Sequence, residues 1–214
     1  MTEGFAELVM PLFRRVVDLR RRLDRGETRS LDDVFHQVQV WLDETGRRAV
    51  TQPELGRSFE RAKFGFVSWI DEILTDSEWG RSVGWGSEQH VLEWIVFGSR
   101  DRAWRFYEHS DEAEEQGDLD ALEVYLLCAT LGFKGELAYD ADKMTDWVER
   151  VYGRVSETGT VEARPFAEED AGAGLKPLGG PSLLLRVSAL VAFTTLFSLV
   201  AYLFAVHHDY YSAG

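Results

Sequence analysis

Two adjacent acidic residues, Asp71 and Glu72, are the first candidates for chemistry in this sequence. Paired carboxyl groups can act as general acid and general base when they converge on one substrate. These two lie in a helical pattern, in which neighbouring side chains project about 100° apart, so their carboxyl groups diverge. The apolar face centres on Phe66, Ile70 and Ile73, which predicts that Asp71 lies off the buried face. We therefore expect carboxylates that face a partner or brace a loop, with simple solvation as the alternative, and expect the fold to survive their removal.

A metal site is suggested by Glu88, His90 and Glu93. His90 and Glu93 share a helical face at a spacing of three, but a di-metal helical bundle needs Glu-x-x-His twice and in that order. The sequence also lacks the patterns of a nucleophile elbow and of a phosphate-binding loop. We expect no metal, no cofactor and no catalysis. A membrane-tethered enzyme that uses Asp71, Glu72 and His90 remains the alternative from another functional class.

Two further segments could bind a partner. Asp111, Glu112, Glu114 and Glu115 belong to an acidic run that ends at Asp118, which is either a solvated helix end or a docking site for a basic partner.

A Trp-rich loop runs from Trp79 through Gly80 to Trp85. Tryptophan is enriched in binding hot spots, so the loop is a candidate contact surface. The alternative is that both tryptophans cap the core of the domain.

The elements that must position these residues are helices. Apolar residues recur at spacings of three and four in most of the first 156 residues, and no long stretch alternates with period two. Ser30 and Asp33 have the pattern of a capping box at the start of the second helix. The segment from Leu119 to Leu131 is apolar on nearly all sides, which predicts a central helix. About seven helices are predicted, with apolar positions or bounds as follows: Phe5 to Leu19, Val34 to Leu42, Phe59 to Ile73, Ser87 to Phe97, Asp101 to Glu115, Leu119 to Leu131, and Met144, Trp147, Val148, Val151 and Tyr152 on one face of the last.

A transmembrane helix is predicted near the C-terminus. Val187 to Val206 is a run of 20 uncharged residues, enough to cross a hydrocarbon core of about 30 Å. Lys176 and Arg186 precede it, so we expect the N-terminal domain in the cytoplasm and the tail outside. Small residues at spacings of four, three and four form a candidate dimer face in the membrane: Thr194, Ser198, Ala201 and Ala205.

The predicted organisation has four parts. Residues 1–156 form a cytoplasmic helical domain, 157–182 a flexible linker rich in glycine and proline, 183–206 a transmembrane anchor and 207–214 a short periplasmic tail. The formal net charge is −14, which argues against nucleic acid as a partner. A local basic cluster from Arg14 to Arg25 could still touch lipid headgroups or an acidic partner.

Several separate stretches form a distinctive combination: Trp69-Ile70-Asp71-Glu72, then Trp79-Gly80, then Leu122 to Cys128 running into Leu131-Gly132-Phe133-Lys134-Gly135. Together they resemble the DotU/IcmH/TssL family. The resemblance extends over about residues 10–152, and the predicted C-terminal anchor fits it. A departure is the segment from Gly98 to Tyr107, where a shorter Gly-Gly-Glu-Phe-Phe-like turn is expected.

The resemblance implies a cytoplasmic all-α domain of two packed sub-bundles on a single-pass inner-membrane anchor. It implies membership of a type VI secretion membrane complex or of the type IVB apparatus. The expected partners are a TssM/IcmF-like inner-membrane protein, cytoplasmic baseplate subunits and a second copy of this chain. The hypothesis is a structural adaptor that docks the baseplate to the inner membrane, and a tail-anchored regulatory adaptor unrelated to secretion is a further alternative.

Overall fold

A computed structural model describes residues 1–87 and 90–157, and every regular element within them is a helix. The predicted anchor, the tail and all but the first residue of the predicted linker lie outside the described residues. The elements are α1 (Glu3–Asp24), α2 (Leu31–Ala49), α3 (Pro53–Thr75), α4 (Glu78–Val83), α5 (Leu92–Phe97), α6 (Arg102–Glu115), α7 (Leu119–Thr130), a 3-10 turn (Gly135–Tyr139) and α8 (Ala141–Glu157).

Local sequence signals define several helix starts. The Ser30 hydroxyl accepts a hydrogen bond of 3.1 Å from the amide of Asp33, which confirms the predicted cap of α2. Ser77 and Asp118 cap α4 and α7 in the same way. Pro53 occupies the first turn of α3, where its missing N–H leaves no helical hydrogen bond unmade. Such caps satisfy amides that have no partner inside the helix.

The core is built around α3 and α7. The side chains of α7 are apolar and largely buried, as the sequence predicts for a central helix. Tyr125 of α7 donates a hydrogen bond of 2.8 Å to the carbonyl of Arg61 on α3, so its polar end is satisfied. In the other direction, the indole of Trp69 on α3 donates to the carbonyl of Leu131 at 3.3 Å. These bonds fix the register of two helices that otherwise share an apolar contact.

Two groups of helices share α3. Helices α1 and α2 pack against it and against each other, and α6, α7 and α8 form the second group. The predicted sub-bundles therefore correspond to groups joined by a common helix. One continuous hydrophobic core runs from Phe5 on α1 to Val155 on α8. Residues 1–157 accordingly form a unit with a core of its own.

The structure corrects three details of the predicted elements. The segment from Trp79 to Trp85, predicted as a loop, contains the short helix α4, and the helix predicted from Ser87 begins only at Leu92. Tyr152, predicted on the buried face of the last helix, is 55% exposed. None of the helices within the described residues is both long and apolar enough to cross a membrane.

Candidate partner-binding surface

Asp71 lies in the interior of the domain and caps α5. One carboxylate oxygen accepts hydrogen bonds from the amide of Leu92 at 3.0 Å and from the indole of Trp85 at 3.2 Å. The other accepts from the amide of Glu93 at 2.9 Å. Leu92 and Glu93 are the first two residues of α5. The N-cap residue of this helix, Val91, has an apolar side chain and makes no capping hydrogen bond. Asp71 therefore supplies from α3 the cap that α5 lacks in its own sequence.

The expectation that Asp71 lies off the buried face was wrong. Its side chain is 1% exposed because the C-terminal half of α3 is buried on nearly all sides, not on one stripe. Burial raises the pKa of Asp71 from 3.8 to about 6, although the bonds from Glu93, Leu92 and Trp85 and the charge of Arg102 act in the opposite direction. Desolvation of the carboxylate is thus the larger effect.

Glu72 braces a different part of the chain. Its Oε1 accepts hydrogen bonds from the amides of Lys134 at 2.7 Å and Gly135 at 3.1 Å, at the start of the 3-10 turn. Burial raises the pKa of Glu72 as well. Adjacent carboxylates thus diverge, as helix geometry requires, and each holds the backbone of a separate loop. This arrangement matches the loop-bracing alternative.

Glu93 holds the other end of α5. Its side chain is fully buried, and its Oε1 accepts hydrogen bonds from the hydroxyl of Ser99 at 2.9 Å and the amide of Asp101 at 2.6 Å. The guanidinium of Arg102 lies 3.8 Å away as its counter-charge. The short helix α5 is therefore fixed by Asp71 at its start and by Glu93 through the turn that follows it.

This fixed helix exposes apolar side chains, which we call the α5 surface: Trp94, Ile95 and Phe97. Their exposures are 48%, 52% and 38%. The guanidinium of Arg100 lies 5.7 Å from the ring centroid of Trp94. Trp104, in the first turn of the next helix, is 47% exposed. Exposed tryptophan beside arginine is a composition typical of binding hot spots.

The α5 surface was not predicted from the sequence. Its residues lie within the helix predicted from Ser87 to Phe97, and they were not among the candidate site residues. The signal that could have found it is the density of large apolar residues in Leu-Glu-Trp-Ile-Val-Phe followed directly by Gly98. Six residues before a left-handed glycine make less than two turns of helix, too few to bury side chains on every side.

The residues Trp79, Gly80 and Trp85 are part of the core. Both tryptophans are less than 10% exposed, and their ring centroids lie 6.0 Å apart. The indole of Trp79 donates to the carbonyl of Arg29 at 3.2 Å. Gly80 is pressed against the backbone of Leu74, so that any Cβ there would overlap its carbonyl oxygen. The exposed Trp-rich surface expected from the sequence is not found, and the core-capping alternative fits the burial.

The acidic run lies on the last two turns of α6. Arg150 of α8 forms ion pairs with Asp111, at 2.9 Å, and with Glu114. Arg154 of α8 also pairs with Glu114, at 3.0 Å. Glu112 bonds to His109 at 3.1 Å, and both Glu112 and Glu115 are exposed. Part of the run therefore fastens α8 to α6, and the rest faces solvent.

The structure does not bring Asp71, Glu72 and His90 together as a catalytic group. The ring of His90 contacts Asp32 at 2.8 Å and lies edge-on to Phe35, whereas the two carboxylates hold backbone amides elsewhere. Glu88 lies outside the described residues. Within residues 1–87 and 90–157, no three His, Cys, Asp or Glu side chains are grouped so that they could hold a metal ion.

Comparison with known proteins agrees with this architecture. The fold is similar to the cytoplasmic domain of TssL from Acinetobacter baumannii, with a TM-score of 0.61 and 20% sequence identity over 72% of this chain and 97% of that chain. None of the curated proteins matches the sequence. The model of the family described as "Type VI secretion system protein DotU" matches residues 5–208. Since that match covers nearly the whole sequence, the chain belongs to the DotU family of type VI secretion system proteins.

Proposed function

We propose that this chain is the inner-membrane adaptor of a type VI-like secretion apparatus and docks cytoplasmic baseplate subunits to the membrane. It works by binding, without catalysis, and pairs with a TssM/IcmF-like inner-membrane protein. Family membership supports a structural component of such a system. The fold agrees with this proposal, because it is similar to that of the cytoplasmic domain of TssL.

The observation that carries the proposal is the way α5 is held. Two buried carboxylates, Asp71 and Glu93, fix the start of the helix and the turn after it, while Trp94, Ile95 and Phe97 remain half exposed. Burying a carboxylate costs desolvation free energy, and in this domain both buried carboxylates hold the backbone at the two ends of a helix of less than two turns. A rigid apolar surface loses little conformational entropy when a partner covers it.

The α5 surface has the chemistry of a protein contact. Trp94 and Phe97 lie three residues apart on one side of the helix, and Arg100 lies over the ring of Trp94. Large aromatic side chains and arginine contribute most of the binding energy in typical interfaces. We assign this surface to a cytoplasmic subunit of the apparatus that presents an apolar face.

The acidic run offers a second contact for the same complex. Glu112 and Glu115 are exposed and lie on α6, the helix that follows α5, whereas Asp111 and Glu114 pair with Arg150 of α8. Exposed charges contribute mainly to the association rate and to partner choice, and less to affinity. We propose that they steer a basic region of the partner toward the α5 surface.

Membrane attachment and self-association are part of the proposal. The predicted anchor at residues 183–206 would hold the domain on the cytoplasmic side, and the stripe of small residues from Thr194 to Ala205 would support a homodimer. The family match extends to residue 208 and so includes this segment.

The two alternatives have less support. An enzyme would need Asp71, Glu72 or His90 free to move a proton, and each is engaged elsewhere in the described structure. A regulatory adaptor outside secretion would share the exposed surface but has no observation of its own in its favour.

Site-specific photocrosslinking in native membranes tests the proposal. A photoreactive residue at Ile95 is expected to capture a cytoplasmic subunit of the secretion apparatus. Val50, which is 66% exposed at the end of α2, is the matched control and is expected to capture none. Equal capture from both positions, or capture from neither, would overturn the assignment of the α5 surface.

A matched pair of variants gives an independent measurement. Trp94→Ala is expected to reduce recovery of the crosslinked subunit at least tenfold, the loss typical of an aromatic hot spot. Tyr152→Ala removes an aromatic ring of similar exposure from α8 and is expected to leave recovery unchanged. Equal effects of the two variants would argue against a specific role for α5.

A further inference from the structure

The groove between α1 and α2 is lined by arginine side chains. One open depression of about 410 Å³ has Arg15, Arg21, Arg22 and Arg25 in its wall, against one carboxylate, Asp18. A second depression of the same volume shares Arg15 and adds Arg47 and Arg48 from α2, against Glu44. All six arginines are exposed, and with Arg14 beside them we call this set the arginine groove.

The arginine groove stands out against an acidic protein. From Met10 to Arg25 the sequence has six arginines against two aspartates, a net charge of +4, whereas the whole chain carries −14. Four members, Arg14, Arg25, Arg47 and Arg48, form no ion pair with any residue that the structure describes, although Arg15 pairs with Glu44 at 2.9 Å. Their charge is therefore available to an anionic ligand.

An aromatic side chain lies within the groove. Trp41 of α2 lines the first depression and is half-buried, and the guanidinium of Arg15 lies 5.9 Å from its ring centroid. Tryptophan prefers the boundary between hydrocarbon and headgroups, where its apolar ring and its N–H each find a matching environment. Arginine forms bidentate hydrogen bonds with phosphate oxygens.

We propose that the arginine groove binds the phosphate-bearing anionic headgroups of the inner membrane and turns the α1–α2 side of the domain toward the bilayer. The inference rests on the proposed function in one respect, that the domain is held at that membrane. Screening limits the opposing effect of the total charge, since the Debye length is about 8 Å at physiological salt and the far side of the domain lies beyond it.

This orientation agrees with the placement of the other surfaces. The arginine groove belongs to the helix group of α1 and α2, whereas the exposed carboxylates Glu112 and Glu115 belong to α6 in the second group. A tethered domain with charge separated in this way is oriented by the negative surface potential of the cytoplasmic leaflet. The carboxylates would then face the cytoplasm, where a basic partner can reach them.

Vesicle flotation of residues 1–157, which have a continuous core of their own, tests the proposal. The domain is expected to float with vesicles of phosphatidylcholine and phosphatidylglycerol, and to stay in solution with phosphatidylcholine alone. Each arginine near an anionic surface contributes about fivefold to binding. Arg14→Glu, Arg25→Glu and Arg47→Glu together are therefore expected to reduce flotation at least tenfold.

The matched control reverses three exposed charges elsewhere: Arg57→Glu, Arg81→Glu and Lys143→Glu. It changes the total charge equally and is expected to lower flotation less than threefold. Circular dichroism of both variants is the check that they remain helical. Equal loss in the two variants would mean that only total charge matters and would overturn the proposal.

Two further outcomes would also overturn it. One is the absence of wild-type flotation with anionic vesicles at low salt. The other combines two results: the wild-type domain does not bind anionic vesicles, and the groove variant loses a protein partner that the wild type retains in native membranes. That combination would identify an acidic protein as the occupant of the groove. Crosslinking from Ile95 is independent of vesicle flotation. Failure of lipid binding by the arginine groove can therefore be distinguished from failure of the proposed adaptor function.

Discussion

Asp71 and Glu72 are neighbours on α3, yet their carboxylates hold two loops that are distant in sequence. Asp71 accepts hydrogen bonds from the first amides of α5, and Glu72 accepts from Lys134 and Gly135 after α7. A single helical turn of α3 thus fixes both the α5 surface and the start of the 3-10 turn. The acidic pair that suggests acid–base chemistry in the sequence is in this structure a positioning device.

The pH dependence of stability is the first test of this role. The pKa of Asp71 is about 6 in the fold and near 3.8 in the unfolded chain, so the folded domain binds this proton more tightly. Protonation of Asp71 therefore adds to the unfolding free energy as pH falls from about 7 to 4. The same contribution is lost when pH rises through 6. A pKa difference of about two corresponds to about 3 kcal/mol.

Asp71→Asn isolates this effect from the other carboxylates. The variant is expected to lack the gain, so that the difference in unfolding free energy between wild type and variant changes by about 2 kcal/mol between pH 7 and pH 4. Urea denaturation at each pH measures it. Parallel curves for the two proteins would show that Asp71 does not titrate in this range in the folded domain.

Glu72 gives a second prediction that separates hydrogen bonding from charge. Glu72→Ala leaves the amides of Lys134 and Gly135 without their acceptor and is expected to cost about 1–3 kcal/mol of unfolding free energy. Glu72→Gln keeps an oxygen in the same place and is expected to cost less than half as much. Urea denaturation of the two variants at pH 7 measures the difference, and equal losses would contradict the bracing role.

The helices themselves were largely predictable from the sequence. Periodicities of three and four residues, with Ser30 as a cap, indicated where α1, α2 and α3 lie, and they gave the bounds of α6 and α7 to within one residue. Local patterns of this kind depend on residues within one or two turns of each other. The central position of α7 followed in the same way from side chains that are apolar on nearly all sides.

The candidate site was less predictable, because its residues are defined by distant contacts. Asp71 is buried since α5 covers the side of α3 that periodicity assigns to solvent, and the sequence alone does not show that contact. The burial of Trp79 and Trp85 likewise depends on contacts with segments that are distant in the sequence, such as the hydrogen bond from Trp79 to the carbonyl of Arg29. Conversely, the exposure of Trp94 depends on how short α5 is: Asp71 holds the first amides of the helix, and the left-handed Gly98 ends it six residues later.

Topology is a third prediction and depends on the charges that flank the predicted span. Lys176 and Arg186 lie on its N-terminal side, so a reporter fused after Gly214 is expected to be active only outside the cytoplasm. A reporter fused before Met1 is expected to be active only inside it. Replacing both basic residues with glutamine is expected to weaken the preference, and the opposite reporter pattern would overturn the predicted orientation.

Self-association through the predicted span is a fourth prediction. Small side chains let two helices approach closely in lipid, so Ser198→Leu with Ala201→Leu is expected to reduce association of the isolated segment in a membrane two-hybrid assay. Leu196→Ala with Leu203→Ala changes two residues of the same segment outside the stripe and is expected to matter much less. Equal loss from the two pairs would remove any special role from the stripe.

Two glycines provide a fifth prediction with an internal control. Gly80 is buried against Leu74, where a methyl group would overlap a backbone carbonyl oxygen that cannot move without distorting the end of α3. Gly80→Ala is therefore expected to cost more than about 2 kcal/mol of unfolding free energy.

Gly153 on α8 has no heavy atom within 4 Å of where its Cβ would lie, and its backbone is helical. Gly153→Ala is expected to stabilise the domain by about 0.5–1 kcal/mol, because alanine loses less conformational entropy than glycine on entering a helix. Thermal unfolding of the two variants should thus shift the midpoint in opposite directions. A stable Gly80→Ala variant would mean that α4 can move away from α3, and the close contact that buries Trp79 and Trp85 would then not be essential to the fold.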